Sequence, residues 1–299
     1  MAVSSFLWLL ATTPLAAQDG AVAFTHVAVI PMDRERVLED QTVVVRDGRI
    51  AELGPAGTTP VPAGALRVDG RGKYLIPGLA EMHAHVPSPQ AEAQLGAGFT
   101  EHVLFLYLAN GVTTIRGMLG HPAHLALRER MARGDLLGPT LYTSGPSFNG
   151  NSAPDPETAR RMVREQQAAG YDFLKIHPGL SRETFDALAK TADSVGIRFA
   201  GHVPAAVGLE RALAARYASI DHLDGYVEQL AGWAPGGEPI GFFGFAVVDR
   251  ADTSRARIAE VARRTREAGV WTVATQALLD GFVGSEDPAA MGRRPEMRY

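Results

Sequence analysis

The sequence predicts an α/β barrel preceded by a small β-rich piece. Three observations carry this: hairpin patterning confined to residues 22–74, short β-rich runs alternating with helical stretches after Val86, and histidines gathered where those runs end. The 299 residues suit one large domain with a small satellite. A hydrophobic content of 46% and a charged content of 21% are ordinary for a chain that buries a core. The net charge of -4 provides no basic footprint, which argues against a nucleic-acid partner. Cysteine is absent, so disulfides and thiolate metal sites are excluded and any metal must sit on nitrogen and oxygen ligands.

Residues 1–17 read as a secretory signal, with an apolar core from Phe6 to Leu10 and a cleavage site after Ala17. The usual Lys or Arg before that core is missing. A periplasmic or secreted protein is expected. No segment reaches the length of a membrane span.

Residues 22–74 form the satellite. Ala23 to Ile30 alternate with apolar positions, and Thr42–Arg46 is joined to Arg49–Leu53 through Asp47-Gly48. Asp-Gly between β-rich runs signals a hairpin, because both residues tolerate positive φ. Residues 75–299 form the barrel. Helices are expected at Ala91–Ala109, Pro122–Arg133, Pro156–Ala169, Arg182–Val195, Ala206–Ala215 and Ser254–Ala268. Asp155 and Ser181 serve as N-caps, Gly170 and Gly269 as stops. Strands are expected at Leu75–Met82, Val112–Arg116, Thr140–Thr143, Asp172–Ile176, Arg198–His202, Ser219–His222 and Val270–Ala274. Repeated β–α alternation implies a parallel sheet, and this many units implies a barrel. A doubly wound open sheet is the alternative, but no glycine-rich phosphate fingerprint follows an early strand.

In a parallel barrel, functional groups collect at the carboxyl ends of strands. The first run leads into His83 and His85, which share a strand face because side chains alternate. Neutral imidazole is the commonest metal donor, so the pair is a candidate ligand set. Lys175 sits inside an apolar run, where burying an unpaired ammonium is costly. His202 and His222 end the fifth and sixth runs. Singly, each has an ordinary structural explanation; together, five nitrogen-bearing groups at strand ends point to a metal centre. Arg116, Tyr142 and His177 are weaker candidates for holding substrate, with an ordinary role on strand-to-helix loops as the competing explanation.

Pro77-Gly78-Leu79, Met82-His83-Ala84-His85, and then Lys175, His202 and His222 in order resemble the amidohydrolase superfamily, in particular its imidazolonepropionase-like and Xaa-Pro dipeptidase-like members. The resemblance runs from about Phe24 to Thr275. It implies a TIM-like (β/α)8 barrel with a β-sandwich satellite and two divalent metal ions, zinc first among them. His83 and His85 would hold the more buried ion, and His202 and His222 the more exposed one. Lys175, carboxylated by carbon dioxide, would bridge the two. The implied reaction is hydrolysis of a carbon–nitrogen bond in a small amide, lactam or dipeptide, with homo-oligomerisation left open. The family's aspartate at the end of an eighth strand has no counterpart. Asp280 and Asp287 follow the seventh run but end no apolar run, so the barrel is expected to lack its last unit and no catalytic aspartate is assigned. A catalytically inactive metal-binding remnant and a sugar- or peptide-binding barrel are the competing readings.

Overall fold

The computed structural model describes residues 20–235 and 242–283. The export signal expected at residues 1–17 and Asp287 lie outside the described residues. The chain divides into two compact units, with the boundary between Gly78 and Leu79.

The first unit is a mixed sheet built from β1 (Ala21–Val29), β2 (Leu38–Arg46), β3 (Arg49–Pro55), β4 (Leu66–Asp69) and β5 (Tyr74–Leu75). Its order is β3-β2-β1-β4, with β5 also on β1. The expected hairpin is present: Arg46 faces Arg49, and Asp47 and Gly48 turn the chain with φ of 52° and 72°. Val27, Val29 and Val43 form its small buried cluster. Among the described residues this is a single sheet, where the sequence had suggested part of a sandwich. A second difference concerns the boundary. Leu75 was expected in the barrel's first strand, yet it pairs with Val29 and belongs to the satellite.

The second unit alternates strands and helices. In chain order it contains β6 (Leu79–Ala84), α1 (Pro89–Leu95), α2 (Phe99–Ala109), β7 (Val112–Gly117), α3 (Ala123–Ala132) and β8 (Thr140–Thr143). Then follow α4 (Pro156–Ala168), β9 (Leu174–Ile176), α5 (Arg182–Val195), β10 (Phe199–Gly201), α6 (Gly208–Ala214) and β11 (Ser219–Asp221). The chain continues through α7 (Tyr226–Leu230), a 3-10 segment (Phe242–Arg250), α8 (Arg255–Glu267), β12 (Trp271–Val273) and α9 (Gln276–Val283). All pairings among β6 to β12 are parallel. They form a three-stranded run β6-β7-β8 and a four-stranded run β9-β10-β11-β12. Isolated bridges from Ser144 to Phe173 and from Phe148 to Ile176 link the two runs, so the strands follow one another in chain order. Among the described residues the sheet does not close into the expected barrel: β6 and β12 do not pair.

Helix boundaries follow local chemistry. The Asp155 side chain accepts from Thr158 N at 2.8 Å, capping α4, and Ser181 caps α5 through Thr184 N. The single helix expected over 91–109 is two, because Gly96 and Gly98 adopt φ of 110° and 84° between them. The main core lies between β9–β11 and the helices that follow them, and it includes Leu174, Ile176, Phe185, Leu188, Phe199, Tyr217 and Ile220. Tyr217 stacks on Phe185 and meets Phe199 edge-on. Each such side chain contributes about 1.5–3 kcal/mol by leaving water. Strands β9, β10 and β11 are buried on both faces, as expected of a parallel sheet covered by helices.

Candidate metal centre

Strand β6 brings in the first pair of histidines. Its register against β7 shifts between Glu81 and Ala84, which removes a ladder partner from the intervening backbone. Glu81 Oε1 accepts from the freed His83 amide at 2.7 Å and holds the bulge. The His83 and His85 rings lie 5.3 Å apart between centroids. His83 Nδ1 stands 3.0 Å from Asp221 Oδ2, but off the line of a well-formed hydrogen bond, so this buried nitrogen lacks a proper partner.

Lys175, in the middle of β9, is fully buried, and its Nζ lies 3.2 Å from Asp221 Oδ2. This changes the packing argument. An unpaired lysine there would demand a modification or a metal; a lysine paired with Asp221 does not. Room for its stem comes from Gly201 (φ 127°), where a Cβ would stand 2.4 Å from Ile176 O and 2.9 Å from Lys175 Cδ. Asp221 also accepts from Ser219 Oγ at 3.1 Å and lies 3.5 Å from Arg116 Nη2. Burial alone would push Asp221 up. The close approach of His83 and the charges of Lys175 and Arg116 outweigh it and bring it down to about 2. Burial lowers Lys175, with Asp221 opposing.

Strand β11 ends in a device that alternation does not foresee. Asp221 and His222 are neighbours and should face opposite sides, but His222 and Leu223 adopt φ of 60° and 57°. The left-handed backbone brings the His222 ring back beside His83 and His202, with centroids 4.5 and 4.6 Å away. His222 Nδ1 lies 2.7 Å from Thr275 Oγ1, whose hydroxyl donates to Ala274 O. With its proton on Ala274 O, that hydroxyl accepts from His222 Nδ1, the tautomer that leaves the lone pair on Nε2. His202 Nδ1 pairs with Asp224 Oδ2 at 2.7 Å, and His177 stacks obliquely on His202 at 5.1 Å.

The rings of His83, His85, His177, His202 and His222 line one cavity of about 570 Å³, together with Glu81. Tyr107, Pro178 and Leu278 give it apolar walls. Burial is the main cause that lowers all four of His85, His177, His202 and His222, the last three to about 3. These rings are therefore neutral near pH 7, the form that binds metal. As the side chains stand, no group of three or more His, Asp or Glu among the described residues is placed to hold a metal ion. The donor chemistry nevertheless fits a divalent ion: neutral imidazoles face one cavity, and a buried ring nitrogen on His83 has no proper partner.

Two of the weaker candidates lie elsewhere. Arg116 is committed: its Nε donates to Met82 O at 2.9 Å, its Nη2 donates to Ser219 Oγ at 2.8 Å, and its guanidinium covers the Phe173 ring. Tyr142 is half-exposed on β8 and does not line the cavity. His177 does line it. Asp280 sits in α9 and accepts from Gln276 Nε2, one turn back along the helix. Sequence reasoning missed Asp221, Asp224 and Thr275. The first two flank His222 in Asp-His-Leu-Asp, and carboxylates beside a candidate ligand were the available signal.

Neutral histidines thus converge at the carboxyl edge of a parallel sheet, where α/β barrels place their functional groups. A model of the amidohydrolase family matches residues 74–280, and the chain belongs to that family. It is 29% identical over 218 residues to an imidazolonepropionase of Ralstonia nicotianae, a match that covers 60% of this chain and 53% of the relative. It is 31% identical over 149 residues to an adenine deaminase of Paracoccus denitrificans, covering 46% of this chain and 23% of the relative. The chain thus spans about half or less of these relatives' own length. Among solved structures, a Xaa-Pro dipeptidase aligns over 85% of this chain and 79% of its own, with a TM-score of 0.57 and 17% identity, and shares the TIM-barrel-like fold.

Proposed function

We propose that this protein is a metal-dependent hydrolase of carbon–nitrogen bonds in small amides or cyclic amides, acting through a binuclear centre. The observation that carries the reading is the convergence of His83, His85, His202 and His222 on one cavity, with successive rings 4.5–5.3 Å apart. Membership of the amidohydrolase family and the imidazolonepropionase and adenine deaminase relatives support it. His83 and His85 would hold one divalent ion, zinc in the first instance, and His202 and His222 the other. Bound there, such ions supply Lewis acidity toward the substrate carbonyl and lower the pKa of water toward neutrality.

The chain's own groups do the rest. Neutral imidazoles present lone pairs, Thr275 and Asp224 fix two of the rings, and the walls from Tyr107, Pro178 and Leu278 exclude water around the substrate. Lys175 loses its proton more readily because it is buried. Its neutral amine would add carbon dioxide, forming an N–C bond and releasing one proton, as the metal ions bind. The same site reads equally as a dipeptidase of Xaa-Pro type, so the substrate panel must include both classes. Export through the segment at residues 1–17 is part of the proposal, and N-terminal sequencing of protein from the culture medium or periplasm tests it.

The deciding experiment loads the purified chain with zinc or manganese, counts bound metal by elemental analysis, and measures turnover on lactams and Xaa-Pro dipeptides. About two equivalents of metal with turnover supports the reading. Bound metal with no turnover supports an inactive remnant, and no bound metal favours a binding barrel.

A further inference from the structure

The exit of β11 is built to hold the exit of β10. After Asp221 the left-handed His222 and Leu223 turn the chain, and Asp224 N closes the turn by donating to Asp221 O at 3.1 Å. This delivers the Asp224 carboxylate, 22 residues along the chain, to within 2.7 Å of His202 Nδ1. The backbone N–H of Val203, the next residue after the histidine, favours the charged form of the same carboxylate. Both partners are buried, at 8% and 7% exposure. His202 is secured at its backbone as well: its N–H donates to Ile176 O at 3.0 Å, and its carbonyl accepts from the buried Tyr217 hydroxyl at 3.1 Å.

We infer that Asp224 is a positioning residue for His202: it holds the imidazole as the Nδ1–H tautomer and makes Nε2 the nitrogen that meets a metal ion. A carboxylate on one ring nitrogen selects the tautomer and raises the basicity of the other nitrogen. The geometry is specific to this pair. Of the two carboxylates flanking His222, Asp221 serves Lys175, and Asp224 serves His202. The metal half of the inference rests on the reading of His202 as a ligand; the tautomer half stands without it.

The test uses full-length protein labelled with nitrogen-15 in histidine, together with Asp224→Asn and Asp224→Ala. In the metal-free wild type at about pH 8.5, where Asp224, raised by burial to about 7, is ionised, the His202 nitrogen resonances should report a protonated Nδ1 and a bare Nε2. Asp224→Ala should shift His202 toward the other tautomer and weaken zinc binding by roughly ten- to hundredfold in chelator competition. Asp224→Asn, which keeps an acceptor oxygen, should fall between wild type and Asp224→Ala in both readouts. If Asp224→Ala fails to fold, Asp224→Asn carries the test alone. A purely structural tie between loops would lower thermal stability and leave tautomer and affinity unmoved, and that result overturns the inference. So does a wild-type His202 protonated on Nε2. A chain that binds zinc but hydrolyses nothing defeats the hydrolase reading and leaves both of these readouts intact. Failure of wild type to bind zinc defeats the metal half, and the resonances still decide the tautomer half.

Discussion

Replacing Asp221 should cost far more than replacing its partner Lys175, and the asymmetry follows from who else each residue touches. Both side chains are fully buried and 3.2 Å apart. Asp221 keeps other partners when the lysine goes: it accepts from Ser219 Oγ at 3.1 Å and lies 3.5 Å from Arg116 Nη2, with His83 Nδ1 3.0 Å away but off the hydrogen-bond line. Lys175 has Asp221 as its hydrogen-bonding partner and Arg116 as a nearby like charge. Removing one member of a buried pair typically costs about 3–5 kcal/mol, because the other is stranded. Asp221→Ala strands the ammonium and should fall in that range. Lys175→Met removes the buried cation, fills similar volume and leaves a carboxylate that is still held, so about 1–3 kcal/mol is expected. The assay is urea unfolding of the metal-free protein, with the double variant completing a cycle. A Lys175→Met loss equal to or larger than that of Asp221→Ala would refute the reasoning and show that the lysine's burial depends on something other than Asp221.

Three further outcomes follow from the site. His83→Ala or His85→Ala should each abolish tight metal binding, and full metal content by elemental analysis in either variant would remove those residues from the ligand set. Gly201→Ala should destabilise by at least about 2 kcal/mol, since its left-handed backbone is strained for any other residue and the new Cβ meets Ile176 O; an unchanged thermal midpoint would contradict this. On acidification, stability should fall as pH drops from about 6.5 toward 4. His177, His202 and His222 are lowered to about 3 in the fold and take up protons on unfolding, while Asp224, raised to about 7, works in the opposite sense. These four groups together contribute an uptake of about two protons in that window, with lowered His85 adding to it and raised Glu228 opposing, measurable from the slope of stability against pH; a flat slope would count against the buried neutral histidines.

The strands and most helices were legible because a parallel sheet covered on both faces must be written as short apolar runs, and amphipathic helices must separate them. The locations of the histidines were legible for the same reason: each follows directly from an apolar run. What escaped was every relationship that crosses the sheet. Lys175 and Asp221 lie 46 residues apart, and nothing local to either announces the other. Asp221 was further hidden by alternation, which assigns it the face opposite His222 until the left-handed turn is known. Arg116 was read as a group for holding substrate because an arginine at a strand end looks available. Its Met82 and Ser219 partners become visible only when β6, β7 and β11 are assembled. The break between α1 and α2 was readable from Gly96-Ala97-Gly98, where two glycines allow the left-handed turn that a continuous helix does not.

Convergence at the carboxyl edge has a backbone requirement of its own. Alternation allows each strand to send only every second residue inward, yet the exits of β10, β11 and β12 must aim His202, His222 and Thr275 into a shared space. The chain meets this with positive φ at Gly201, His222, Leu223 and Thr275, all at or just past strand ends. For the three non-glycine residues such backbone costs on the order of 1–3 kcal/mol each, and it persists only where the surroundings fix it. Here the fixing contacts are the same ones that orient the imidazoles: Thr275 on His222 Nδ1 and Asp224 on His202 Nδ1. Strain and ligand orientation are thus coupled through one set of hydrogen bonds. That coupling explains why the residues that hold the rings lie on the strained turns rather than in the regular strands.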